Sequence, residues 1–315
     1  MYNKSIFGLM CILGWCFFSA LARVIISNVS QKIDPVILCF YTFLLSTILF
    51  ILLNIRNTTS TLLKLKTIEN RRNVYGLNVS TFGAWFFLIY PLKYIEPAIV
   101  STITLGLGPI ATLILTAFIY KGKKLNYSDI VISSLLLLVI LYAIYLSFSG
   151  VTTLGRFSFL TLTYSTLSCL IVGFATSAGN LYAKKLSNNH FSAKEILASR
   201  FLLTVILAGL ILLAKNGNFF VPISDWNDII IVTICLVVIP LYLVQISIKQ
   251  LEPIIVSLVA PLMPALVFVF QLLKSISSFS PASALVVTAT SVLVLSGVYT
   301  HYKKDKLVRY QLKTV

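Results

Sequence analysis

Runs of about 20 mainly apolar residues recur along this whole sequence, near 6–28, 34–54, 75–94, 97–120, 127–148, 158–183, 194–214, 228–248, 253–274 and 282–302. A helix of that length spans the hydrocarbon core of a bilayer and satisfies its own backbone polar groups there. The pattern predicts an all-α integral membrane protein with ten transmembrane helices. Composition agrees: 11% of residues are charged and 58% hydrophobic, where a soluble domain carries about 25% charged residues. So few charges do not cover a water-soluble body, and the lipid bilayer is the expected partner.

Lys plus Arg number 25 against 9 Asp plus Glu, a net charge of +16. On a soluble chain this would point to nucleic acid; on a membrane chain, basic residues collect on cytoplasmic loops. No nucleic-acid partner is expected. With the N-terminus inside, Arg56, Lys64, Lys66, Arg71 and Arg72, then Lys121, Lys123 and Lys124, then Lys184, Lys185 and Lys194, and the tail Lys303, Lys304, Lys306, Arg309 and Lys313 all fall on one side. Both termini are therefore expected in the cytoplasm, which fits an even number of spans. Lys4 and the Ala20-Leu21-Ala22 step imitate a cleavable leader. The repeat below requires that segment as the first helix, so it is expected to stay. Asn57-Thr58-Thr59 and Asn126-Tyr127-Ser128 match a glycosylation pattern but fall on the cytoplasmic side.

Chemistry of the enzymatic kind is not encoded. No H-E-x-x-H, G-x-S-x-G or Walker A sequence occurs. Cys11, Cys16, Cys39, Cys169 and Cys235 lie in apolar runs without C-x-x-C pairing, as small buried hydrophobes do. His190 and His301 stand alone near span ends. No enzyme, metal or cofactor is expected.

The sharpest motif is a repeat. Lys93-Tyr94-Ile95-Glu96-Pro97-Ala98-Ile99-Val100-Ser101 returns as Lys249-Gln250-Leu251-Glu252-Pro253-Ile254-Ile255-Val256-Ser257, and Phe43-Leu44-Leu45-Ser46 returns as Phe201-Leu202-Leu203-Thr204. The offset is close to half the chain, which predicts two units, 1–150 and 151–315. Each holds five runs. An odd number turns the second half upside down relative to the first, and inverted repeats are a transporter architecture.

The five-plus-five runs, the Tyr90-Pro91-Leu92-Lys93-Tyr94-Ile95-Glu96-Pro97 junction, the Gly108-Pro109 helix and the Lys121-Gly122-Lys123-Lys124-Leu125 loop resemble the EamA-type drug/metabolite transporter superfamily. Two departures stand out. Arg200 matches a basic residue that such proteins often carry early in the second and seventh spans, but its repeat partner here is Thr42. The loop after span 4 also lacks the usual glutamate. The resemblance implies alternating access, a monomer or homodimer in a bacterial inner membrane, and a small-molecule substrate. Export of an amino acid or related compound is the first expectation. Uptake or exchange of a nucleotide-type metabolite, such as S-adenosylmethionine or a nucleotide sugar, is the second. A non-transporting scaffold or a membrane-embedded enzyme is the reading from another class.

Polar residues inside the spans are the candidates for a site. Arg200 reads either as a cation for a substrate carboxylate or phosphate, or as a structural arginine bonded to carbonyls. Arg23 lies nearer a helix end and reads as structural. Span 9 sets Ser257, Pro261, Pro264, Phe268 and Gln271 on one face, an expected cavity lining, with rocking about the span 4 and span 9 prolines. Span 6 sets Gly173, Ser177, Asn180 and Lys184 on one face, and span 4 sets Ser101, Gly108 and Thr112 likewise. Trp15, Trp85, Tyr90 and Gln245 complete the candidates. All nine carboxylates fall in loops or at span ends, which argues against a simple carboxylate-relayed proton antiporter. Lys93 with Glu96, and Lys249 with Glu252, are expected to pair at helix ends.

Overall fold

The computed structural model of the chain describes residues 2–119, 127–215, 219–251, 255–256, 259–274 and 280–311. Lys121 to Asn126, Glu252, Pro253 and Ser257 lie outside the described residues, and with them the loop after span 4 and the second half of the repeat motif. No strand occurs among the described residues. The helices are α1 (Tyr2–Lys32), α2 (Pro35–Asn54), α3 (Thr58–Lys64), α4 (Ile68–Leu92), α5 (Pro97–Ile119), α6 (Tyr127–Phe148), α7 (Phe159–Asn188), α8 (Ala193–Ala198), α9 (Leu202–Ala214), α10 (Trp226–Ile231), α11 (Ile239–Gln250), α12 (Met263–Leu273) and α13 (Pro281–Gln311).

Their ends follow local chemistry. The Asp34 carboxylate accepts from the amides of Val36 and Ile37, with Pro35 in the first turn of α2. Ser158 caps α7 through the Thr161 amide. Ser192 and Glu195 form a reciprocal capping box on α8. Between α10 and α11 the helix widens to a π turn over Val232–Val238, just ahead of Pro240, which has no amide hydrogen to give.

The described residues of the ten predicted runs are mainly helical, with a break at 199–201 inside the seventh, and seven helical segments among the described residues are long and apolar enough to cross a membrane. α4 is long enough and less apolar, since Asn73, Asn78, Ser80 and Thr81 are buried along it. Met263–Leu273 and Pro281–Gly297 are shorter apolar helices. Within the ninth run Pro261 lies in a 3-10 turn and Pro264 in the first turn of α12. Met10, Leu13, Leu138, Leu141, Leu210 and Leu213 face outward, as a lipid-facing surface requires.

Helices of the two halves interleave. α1 packs on α11 and α12, while α7 packs on α4 and α5; α5 packs on α6, and α12 on α13. Across the halves α2 meets α9, α5 meets α12 and α6 meets α13. Most buried hydroxyls return to the carbonyl one turn back, as Ser101 does to Pro97 (2.7 Å) and Thr47 to Phe43 (2.6 Å).

The Lys93–Glu96 pair expected from spacing is not formed. The chain leaves helical geometry there: the Glu96 amide donates to Thr152 O (3.0 Å) and the Leu154 amide to Tyr94 O (2.9 Å). This short bridge turns Glu96 inward, where its carboxylate accepts from Ser283 Oγ at 2.8 Å. The ion pair present among the described residues is Lys64 with Glu195, at 2.8 Å.

Candidate functional site

α1 turns Trp15, Ser19, Ala22, Arg23 and Ile26 toward the centre of the bundle, at spacings that share one helical face. They meet Ala84, Trp85 and Leu88 of α4, Leu105 of α5, and Val172, Thr176 and Asn180 of α7. Leu241 and Val244 of α11, Met263 of α12, and Arg200 close the wall. The enclosed space is about 60 Å³. Since one water needs about 10–15 Å³ by this measure, it holds a handful of waters or a small metabolite.

Arg200 is placed by a break in its helix. α8 ends at Ala198 and α9 begins at Leu202, so residues 199–201 are not helical. The break sets Arg200 inward, 5% exposed. Its Nε donates to Thr81 Oγ1 at 2.9 Å, and its Nη1 is buried with no hydrogen-bond partner among the described residues. Gly179 makes the room: a Cβ there would stand 3.5 Å from Arg200 Nη2 and 3.3 Å from Ser80 Oγ. Asn78 holds the break from the other side, donating to Ser199 O (2.6 Å) and accepting from the Leu203 amide (3.2 Å).

Arg23 joins the same wall, which its place near a helix end did not announce. It is 7% exposed, and its Nη1 donates to Thr104 Oγ1 at 3.2 Å. Pro109 removes an amide from α5 and so frees the carbonyl of Leu105, another wall residue.

Of the other candidates, Asn180, Trp15 and Trp85 stand on this wall with Arg200, while Gln271, Pro264, Phe268, Tyr90, Gln245 and Thr112 do not. Gln271 is fully buried, and its Oε1 accepts from the Ala98 amide at 3.1 Å, capping the start of α5. The short α12 turns Pro264 into the core and packs Phe268 against a second apolar cluster. Tyr90 packs on Tyr94, ring centroids 5.0 Å apart. Thr112 is buried on α5. Gln245 is 1% exposed, and both amide atoms lack a partner. On α7, Ser177 bonds Gly108 O (3.1 Å), and Lys184 donates to the carbonyls of Ile248 (2.8 Å), Lys249 (3.2 Å) and Leu251 (2.8 Å). Lys184 is thus a C-terminal cap for α11.

A larger hollow lies between α4 and α7. Tyr75, Val79, Leu167 and Phe174 border it and are exposed. It is an open crevice on the outer face of the bundle, distinct from the closed central cavity. Among the described residues no group of three or more His, Cys, Asp or Glu is placed to hold a metal.

Residues 6–148 match the profile of the EamA-like transporter family. Over its first half the chain is similar to that family. The crystal structure of another protein is similar over 98% of this chain and 99% of its own length, at 17% identity and a TM-score of 0.66. That likeness shows that the chain shares the overall fold of that structure. No curated protein matches the chain. The similarity to the EamA-like family, together with the apolar helices, supports a multi-pass membrane protein.

Proposed function

We propose that this EamA-like protein carries a small polar metabolite across the bacterial inner membrane by alternating access, with both termini in the cytoplasm. In this reading 1–150 and 151–315 are inverted five-helix repeats that make ten spans. The packing supports it: shifting each span by five turns the α1–α11 contact into α7–α4, and α1–α12 into α7–α5. The cavity wall likewise draws on α1 and α7, α4 and α11, α5 and α12. A site shared by paired elements of two halves is reached from either side as the halves rock. The Pro109 turn of α5 and the Pro261 and Pro264 turns of α12 are the hinges of that motion.

One observation carries the reading: a partly enclosed cavity between the helices is lined by a buried arginine with a donor that is unsatisfied among the described residues. A substrate carboxylate or phosphate satisfies it with charge-assisted hydrogen bonds. Trp15, Trp85 and Asn180 shape the rest. An amino acid or related compound, moved outward, is the first substrate class on the strength of the family. A nucleotide-type metabolite is the second, favoured by the two indoles. The small enclosed volume admits it only in an opened conformation. Among the described residues no carboxylate lines the wall, so exchange or facilitated diffusion is preferred over a carboxylate proton relay.

The test is counterflow in proteoliposomes with a radiolabelled panel of amino acids, organic anions and nucleotides. At least one compound should exchange, and Arg200→Gln should lose that exchange while eluting as a monodisperse species. A panel that gives no exchange above empty liposomes would overturn the reading.

A further inference from the structure

We infer that the central cavity selects a metabolite with two negative charges, held at one end by Arg23 and at the other by Arg200. The inference rests on the transport reading above and replaces its first substrate class, a zwitterionic amino acid, with an acidic compound.

Guanidinium stays protonated in proteins, so this wall carries two fixed positive charges. Both side chains are at least nine-tenths buried. Their protein partners are neutral hydroxyls: Thr104 for Arg23 and Thr81 for Arg200. No Asp or Glu stands on the wall among the described residues. The buried carboxylates are engaged elsewhere, Glu96 with Ser283 and Glu195 with Lys64 and Thr61. An unpaired charge away from water is costly, and two like charges around one small space add repulsion. The empty cavity is therefore the unfavourable state. A dianion removes both penalties at once.

The same charges work against a zwitterion. An α-amino acid offers one carboxylate, but its ammonium would face two guanidinium groups with no acidic partner. Ser19, Thr176 and Asn180 offer neutral hydrogen bonds, which suit hydroxyls of the substrate. A short dicarboxylate or a small phosphate monoester has the required charge and size. The two arginines also come from different halves, Arg23 from α1 and Arg200 from the α8–α9 break. A ligand that bridges them pulls the halves together, so binding and closure are one event.

The experiment measures binding to the purified protein in detergent. Succinate and glycerol 3-phosphate are the dianionic probes, and acetate and alanine the monoanionic and zwitterionic controls. Wild type should bind at least one dianion about tenfold or more tighter than either control. Arg23→Gln and Arg200→Gln should each weaken that dianion by about tenfold or more. Alanine binding as well as the dianions, no dianion binding, or an unchanged dianion affinity in Arg23→Gln overturns the inference. The wild-type comparison decides even if a variant does not fold. Counterflow of the same compounds separates the two readings: exchange of alanine without dianions removes the two-arginine inference and leaves transport standing, whereas exchange of none removes both.

Discussion

Glu96 accepts a 2.8 Å hydrogen bond from Ser283, which ties the α4–α5 junction to the first turn of α13. The carboxyl is 4% exposed, in the link between two helices. Burial raises its pKa above the usual 4.5, and the neighbouring Ser283 and Gln271 partly offset this. The sign follows. Below about pH 4.5 the group is protonated whether folded or not, and it costs nothing. As pH rises through the raised folded value, the folded state holds a proton that the unfolded chain has given up, and stability falls. Glu96→Gln keeps a partner for Ser283 without the charge. Its apparent Tm in detergent should equal or exceed wild type at pH 7, with the difference gone below about pH 4.5.

Gly173 is set by contact with α5. A Cβ would lie 2.8 Å from both Leu107 Cβ and Thr104 O, and the backbone atom does not move aside. Gly173→Ala should separate α5 from α7 and cost about 1–3 kcal/mol. Thr104 also holds Arg23, so the variant should weaken ligand binding as well as lower the apparent Tm.

Lys184 gives its ammonium to three carbonyls at the end of α11. Lys184→Met keeps the alkyl stem and removes the donors. A loss of roughly 1–2 kcal/mol is expected, in the range of a charged cap in a partly buried setting. Amide hydrogen exchange should localise the loss to 245–251.

Gln245 buries a side-chain amide with no partner for oxygen or nitrogen among the described residues. It sits beside Val244, which is on the cavity wall. Replacing an unsatisfied buried amide with an apolar group of similar size is neutral or stabilising, by up to about 1–3 kcal/mol. Gln245→Leu should therefore raise or hold the apparent Tm. If it also abolishes substrate exchange while the Tm holds, the amide is kept for the substrate.

Charge removal at the centre should show the opposite of an ordinary structural defect. Without ligand, Arg200→Gln or Arg23→Gln should leave the apparent Tm unchanged or higher, because a positive charge without a counter-charge is gone. A drop of several degrees in ligand-free protein would mark that arginine as structural.

Much of the helical fold was legible because it depends on local properties. Run length and apolarity located the helices, and proline and cap residues marked several ends, as with Asp34-Pro35 and Ser158. The site was only half legible. Arg200, Asn180, Trp15 and Trp85 were found by the rule that polar or aromatic groups in a span require a reason. Gln271, Pro264 and Phe268 obeyed the same periodicity but face other helices, since periodicity gives a shared face and not the direction it points. Arg23 was underrated because position along a helix says little about depth in a bundle. The Lys93–Glu96 spacing failed because a bridge to residues 152–154, distant in sequence, reshapes the backbone between them.

The sequence by itself determined that the chain lives in a bilayer and where most of its helices lie. Each of these follows from the transfer of side chains out of water and from hydrogen bonds within four residues. Only the tertiary structure decided that residues 199–201 break their helix, that Arg23 and Arg200 share a cavity, and that no carboxylate among the described residues joins them. Those facts depend on which helix faces meet. That is settled by the packing of all the helices at once, through side chains far apart in sequence.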